Sequence, residues 1–231
     1  MKSKIMIFVI MLVIFSVLSL AILADESKVN DLKVYQLNYC LDTEAIEIDV
    51  VIPVIKGLGN QSAQEEFNQK IRDDILGYIE VLKTDAEDLL KYAKEYDFEF
   101  LKYQIINSCS VENNEEILSL VISEYQYAGG AHGSTYVQAF NIDIKTGEDI
   151  SLEEYLKKYD QYDYSIEDIK SIIISEVKES SEDYYPDAVD MIKVRENFNY
   201  YLEDNVLTIY FQGYEITVSG NTSFKIDPSE K

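Results

Sequence analysis

In the stretch Ile46-Glu47-Ile48-Asp49-Val50-Val51-Ile52, Ile46, Ile48, Val50 and Ile52 alternate with Glu47, Asp49 and Val51. A period of two is the signature of a strand with one buried face. Pro53 and the segment Gly57-Leu58-Gly59-Asn60 are expected to break it. The period then changes. Phe67, Ile71, Ile75, Tyr78, Ile79, Leu82, Ala86, Leu89 and Leu90 recur at helical spacing, to about Tyr96. Ser62 with Glu65 has the spacing of a capping box at the start of this helix. The apolar stripe reads as core packing, and Glu65, Glu66, Asp73, Asp74 and Glu80 read as its solvated face.

Outward from this strand and helix, the chain is mostly strand. Residues 34–41 precede the first stretch as another strand, and residues 98–111 and 117–127 flank the turn Glu112-Asn113-Asn114-Glu115. Residues 134–144 are expected to pair with the segment after Gly147, across Lys145-Thr146-Gly147-Glu148. Short helices are expected over 152–159, from Ser165 and Asp168 through Ile169, Ile172, Ile173 and Val177, and after Pro186. Residues 197–202, 206–211 and 215–218 read as a closing meander, with one more strand at 224–226. The class is therefore α+β: antiparallel sheets with helices packed on them, in two closely associated subdomains. The polar stretch near Glu112 divides them, giving units over 30–111 and 116–227.

The chain has 231 residues, with 43 Asp and Glu against 20 Lys and Arg, a formal charge of −23. Only two arginines occur, Arg72 and Arg195, so a nucleic-acid face is excluded, and docking on anionic lipid is excluded with it. One histidine and two cysteines are too few ligands for a His- or Cys-based metal site, and no cofactor is implied.

Lys2 and Lys4 precede an uncharged run from Ile5 to Ala24, which Asp25 and Glu26 end. This pattern directs the rest of the chain out of the cytoplasm. Ser19-Leu20-Ala21 and Ile22-Leu23-Ala24 both resemble cleavage sites, yet 20 apolar residues also suffice for a membrane anchor, so residues 1–24 are a signal peptide or an N-terminal anchor. Without residues 1–24 two bases and no acids are lost, and the exported remainder carries −25. Cys40 and Cys109 are a disulfide candidate in such a compartment; the other reading is two separate buried thiols.

Tyr125-Gln126-Tyr127-Ala128-Gly129-Gly130-Ala131-His132-Gly133-Ser134 lies between two expected strands. Its glycines permit backbone angles closed to other residues. A phosphate cradle would need a helix after the loop, and a strand comes instead. His132 has no nucleophile pattern beside it and reads as a loop-fixing or contact residue.

Tyr127-Ala128-Gly129-Gly130-Ala131-His132-Gly133, with Phe140-Asn141-Ile142-Asp143-Ile144-Lys145-Thr146-Gly147 and Ser151-Leu152-Glu153-Glu154-Tyr155-Leu156, resembles the extracellular part of RsiV-type anti-sigma factors. Leu207-Thr208-Ile209-Tyr210-Phe211-Gln212-Gly213-Tyr214-Glu215-Ile216 resembles the closing strand pair of that family. Residues 46–55 and 67–75 resemble the small domain that precedes it there, and that also precedes the catalytic domain of PdaC-type peptidoglycan deacetylases. The resemblance implies recognition without catalysis, with lysozyme, another cationic protein or peptidoglycan as partner. Opposite net charges speed such an encounter. Gly129, Gly130, His132, Tyr214 and Glu215 are the expected binding surface or its support. The chain departs from the family in having no cytoplasmic sigma-binding segment. It also has Gly213 where a Pro is common, and Thr217-Val218-Ser219-Gly220-Asn221 where relatives often carry a Pro, a Tyr and an Ala-Gly loop.

The alternative is an enzyme acting on cell-wall glycan through paired carboxylates. Among 43 acids any two can be paired on paper, so no pair stands out. Asp160, Asp163, Glu167 and Asp168, and likewise Glu182, Asp183, Asp187 and Asp190, cluster without EF-hand spacing and read as solvated surface. Tyr159, Tyr162, Tyr164, Tyr184 and Tyr185 stand in polar context and are expected to be exposed.

Overall fold

The computed structural model describes residues 32–160 and 163–226. The expected signal peptide or anchor at 1–24 lies outside the described residues, as does Tyr162. No helix among the described residues is long and apolar enough to cross a membrane.

One sheet has five strands in the order β1 (Lys33–Asp42), β2 (Ile46–Lys56), β3 (Tyr103–Asn114), β4 (Ile117–Tyr127) and β5 (Ser134–Asp143). A second has three, β6 (Asn199–Glu203), β7 (Val206–Phe211) and β8 (Thr222–Lys225). Helix α1 (Gln61–Tyr96) lies between β2 and β3 in the chain, and α2 (Leu152–Lys158), α3 (Ile166–Glu179) and α4 (Ala188–Val194) between β5 and β6. The expected α+β class holds, with one addition. β2 and β3 pair in parallel, from Ile46 opposite Tyr103 to Asp49 opposite Ile106. Parallel neighbours need a long crossover, and the 36-residue α1 supplies it.

The stripe on α1 does form core. Ile79, Leu82 and Ala86 pack on Ile46, Ile48, Val50 and Ile105, while Ile71 packs on Leu120 and Ile122. Tyr78 and Leu89, read as members of that stripe, are exposed. A separate core joins Ile169, Ile173 and Ile192 to Tyr200, Ile209, Phe211 and Phe224, and Ile117 reaches into it from β4. The 111/116 division falls at the turn of the β3–β4 hairpin, inside the five-stranded sheet.

Three local expectations are corrected. Asn60, not Ser62 with Glu65, caps α1: its side chain accepts from the Ala63 amide at 3.2 Å. Pro53 does not end β2. Beyond the parallel ladder, the outward edge of β2 presents the backbone of Val51, Pro53 and Ile55 away from β1. The Val51 amide donates to Asn107 Oδ1 at 2.7 Å, and the Ile55 amide to Asn68 Oδ1 at 2.8 Å. Proline between them has no amide to satisfy, so it is tolerated there. Residues 215–218 form no strand. The Glu215 amide donates to the Gln212 carbonyl at 3.1 Å, closing a turn, and only Thr217 makes an isolated bridge, to Tyr184. The segment after Gly147 likewise makes a single bridge, Ile142 with Asp149.

Cys40 and Cys109 are free thiols. Cys40 pairs across the ladder with Asp49 and donates to its Oδ1 at 3.3 Å, on the exposed side of β2. Cys109 packs against the cluster of Ile71, Leu120 and Ile122 on the side facing α1. The two side chains leave opposite faces of one sheet, which rules out the bond that their export context suggested. The hydrogen bond to Asp49 raises the Cys40 thiol, and burial pushes Cys109 up to about 11. In the native protein a thiol reagent is expected to modify exposed Cys40 first and Cys109 only on unfolding, two thiols in all. Recovery of no free thiol after non-reducing denaturation would contradict this arrangement.

The expected exposure of the tyrosines is corrected as well. Tyr164 is buried, and Tyr159, Tyr184 and Tyr185 pack partly buried against the second core. Apolar neighbours brought by the fold outweigh their polar sequence context.

Candidate functional site

Strand β5 is an edge of the large sheet, and its outward amides and carbonyls require partners. Side chains of the small sheet provide them. Gln212 Oε1 accepts from the Val137 amide at 3.0 Å while its Nε2 donates to the Val137 carbonyl at 2.6 Å. The Tyr210 hydroxyl accepts from the Ala139 amide at 3.2 Å. Farther along, Asn141 Nδ2 donates to the Tyr200 carbonyl at 2.8 Å, and its Oδ1 accepts from the Ser119 hydroxyl at 2.5 Å. That hydroxyl accepts from the Leu202 amide at 3.0 Å. The seam docks the small sheet and fixes the loop after β7 relative to the loop after β4.

These two loops carry the five residues singled out in the sequence. Gly129 and Gly130 take φ of 85° and 101°, in the region that favours glycine. The Tyr127 hydroxyl donates to the Gly130 carbonyl at 2.8 Å, and a Cβ on Gly133 would lie 2.5 Å from the Tyr125 ring. The loop is thus folded against its own strand. His132 is exposed, and its Nδ1 donates to the Gly133 carbonyl at 3.0 Å.

Across from it stands Tyr214, 52% exposed, with its backbone at φ 64°. An aromatic residue with positive φ is an outlier that its surroundings must enforce. The enforcing contacts are visible. The Gly213 amide donates to Asn221 Oδ1 at 2.6 Å, and the Tyr214 amide donates to the Ser219 carbonyl at 3.3 Å. Glu215 accepts from the Gln212 amide at 2.8 Å and forms an ion pair with Arg195. The Arg195 guanidinium also lies 5.0 Å from the Phe211 ring centre, and burial lowers its pKa. The outcome is a stack: the His132 and Tyr214 rings have centroids 6.0 Å apart and an interplanar angle of 26°. His132 and Tyr214 therefore meet at one surface, Gly129 and Gly130 shape its loop, and Glu215 serves as support.

The Lys-Thr-Gly turn plays a different part. Asp143 Oδ1 accepts from the Lys145 and Thr146 amides, both at 2.8 Å, while Oδ2 accepts from the Tyr159 hydroxyl. Gly147, at φ 74°, leaves no room for a side chain: a Cβ there would lie 2.6 Å from that of Ala63 in α1. The Gly59 amide donates to the Ile144 carbonyl at 2.8 Å. These residues clamp the start of α1 to the sheet. Several of the clustered acids are likewise local fixtures. Asp168 completes a capping box with Ser165, and Asp160 Oδ2 accepts from the Tyr164 amide at 2.6 Å.

Sequence reasoning missed one hollow, between α1 and strands β4 and β5. Asp74, Tyr78, Glu124, Gln126, Tyr136 and Gln138 line it. Burial raises the Glu124 carboxyl above the usual range. The only signal for it in the sequence was Tyr78, the one residue with a polar tip in an otherwise apolar stripe.

Residues 40–135 match the sequence family described as Deacetylase PdaC. This span crosses the β3–β4 turn and takes in the glycine–histidine loop. Over 194 residues the chain is 26% identical to the peptidoglycan-N-acetylmuramic acid deacetylase PdaC of Bacillus subtilis, covering 81% of this chain and 38% of that protein. The chain thus spans well under half the length of that relative. A DUF3298-family protein from Bacteroides fragilis shares the fold, with a TM-score of 0.60, 17% identity, and coverage of 88% of this chain and 93% of that one. The PdaC-like part of the sequence resemblance is supported by these matches.

Proposed function

We propose that the chain is a non-catalytic, exported recognition module of the bacterial cell envelope. It binds a cationic protein, lysozyme or one like it, through the surface formed by His132 and Tyr214. One observation carries this reading: an exposed aromatic ring, held at a costly backbone angle, is stacked on the histidine of a loop from the other sheet. Such strain is kept where geometry matters for contact, and Tyr is enriched in binding hot spots. The formal charge of −23 favours a basic partner. RsiV-type ectodomains, which the glycine–histidine loop and the closing strand pair at 207–216 resemble, bind lysozyme. Peptidoglycan, named in the description of the B. subtilis relative, is the other partner to test.

Replacing Tyr214 by Ala is expected to weaken lysozyme binding by tenfold or more, the scale of a hot-spot contact. His132→Ala should weaken it less. Neither change touches the buried cores, so thermal unfolding serves as the folding control. Unchanged affinity in both variants would remove this surface from the proposal. Release of sugar or acetate from peptidoglycan would contradict the non-catalytic reading and favour a glycan-acting enzyme.

A further inference from the structure

The hollow beside α1 lies on the opposite face of β4 and β5 from the glycine–histidine loop. Along β4, Leu118, Leu120, Ile122 and Glu124 share the face that packs toward α1, whereas Tyr125 and Tyr127 face the loop. It encloses about 450 Å³, within the range of small-ligand sites. A second hollow of about 310 Å³ shares Gln138 and continues along α1 to Lys70 and Phe67, and to Asp149. The helical lining runs from Phe67 to Tyr78 on one stripe of α1, about 16 Å at 1.5 Å per residue. Together the hollows form an open, elongated groove.

Its chemistry is specific. Tyr78 from α1 is 37% exposed and Tyr136 from β5 is 52% exposed, so both leave ring surface uncovered. The same hollow is lined by two side-chain amides, Gln138 and Gln126, the latter hydrogen-bonded to the Tyr78 side chain, and by the carboxyl group of Glu124. Aromatic faces with amide and carboxyl groups at their margins match a pyranose ring, which has apolar C–H faces and a rim of hydroxyls. The charges argue against ionic ligands. Lys70 is taken by Asp74 at 3.0 Å. Asp74, Glu124 and Asp149 line the groove with carboxyl groups, which disfavours an anionic ligand, and burial raises Glu124 and Asp149, opposing the charge that would draw a cation.

We propose that this groove binds an uncharged oligosaccharide, with Tyr78 and Tyr136 as stacking platforms and Glu124, Gln126 and Gln138 as hydrogen-bonding partners. The site is separate from the His132–Tyr214 surface and stands or falls without it.

The test is calorimetric titration of the whole protein with N-acetylglucosamine tetramer, cellotetraose and an anionic heparin tetrasaccharide. At least one neutral tetramer should bind saturably, and the heparin fragment should not. Tyr78→Ala and Tyr136→Ala should each weaken that binding about tenfold or more, with lysozyme affinity and thermal unfolding unchanged. Tyr214→Ala should leave it intact. No binding by either neutral tetramer would overturn the proposal. So would binding that survives both tyrosine replacements, or equal binding of the heparin fragment.

Discussion

Asn141→Ala is expected to destabilise the protein by about 2–4 kcal/mol, the sum of stranded polar groups and a small cavity in a dry interior. Asn141 is 4% exposed. Its loss leaves the Tyr200 carbonyl without its donor and the Ser119 hydroxyl without its acceptor, at the junction of the two sheets. The damage extends beyond β5, because the Ser119 hydroxyl is also the acceptor for the Leu202 amide in β6. Thermal unfolding should fall by about 5–15 °C for a chain of this size. Ser119→Ala should destabilise too, and the double variant should lose less than the sum, since both changes break one network. A loss below about 0.5 kcal/mol, typical of unconstrained surface sites, would mean that the seam does not hold the sheets together.

Asp143→Ala is the second large effect. The side chain of Asp143 is 8% exposed and collects two amides, the Tyr159 hydroxyl and, at 3.6 Å, the Lys158 ammonium. Removing it strands those donors and should cost about 3 kcal/mol or more. The sign with pH comes from the direction of its shift. Burial alone would raise this carboxyl, but the Tyr159 hydroxyl, the Thr146 and Lys145 amides and Lys158 together outweigh it and hold it below the ordinary range. A depressed carboxyl contributes stability above its unfolded pKa of about 4 and loses it as pH falls through the folded value. The stability gap between wild type and Asp143→Ala should therefore be full at neutral pH and narrow below about pH 4. Glu124 and Asp149, shifted the other way, are common to both proteins and cancel in the difference. A gap that stays constant down to about pH 2 would contradict an ionised Asp143.

Much of the fold was legible because periodicity is local. The stripe from Phe67 located α1, whose end at Tyr96 was as expected, and β4 and β7 kept to their patterns to the residue. What could not be read depended on neighbours. Pro53 is harmless only because Asn68 and Asn107, distant in the chain, serve the amides on either side of it. Cys40 and Cys109 looked bondable until strand parity placed them on opposite faces. Residues 215–218 alternate like a strand, but the turn that Tyr214 and Glu215 make overrides that preference. The candidate surface was half legible. The glycine loop announced itself, whereas the stack of His132 on Tyr214 required the β5 seam to bring two sheets together. The groove was not legible at all, because its lining comes from one helix and two strands, and Tyr78 fitted a core stripe equally well.

The central claim is recognition of a cationic protein, and titration of the protein with lysozyme tests it most directly. The account predicts saturable binding that weakens as ionic strength rises from about 0.01 to 0.15 M, over which the screening length falls from about 30 to 8 Å. Absence of saturable binding at the low-salt end would contradict it.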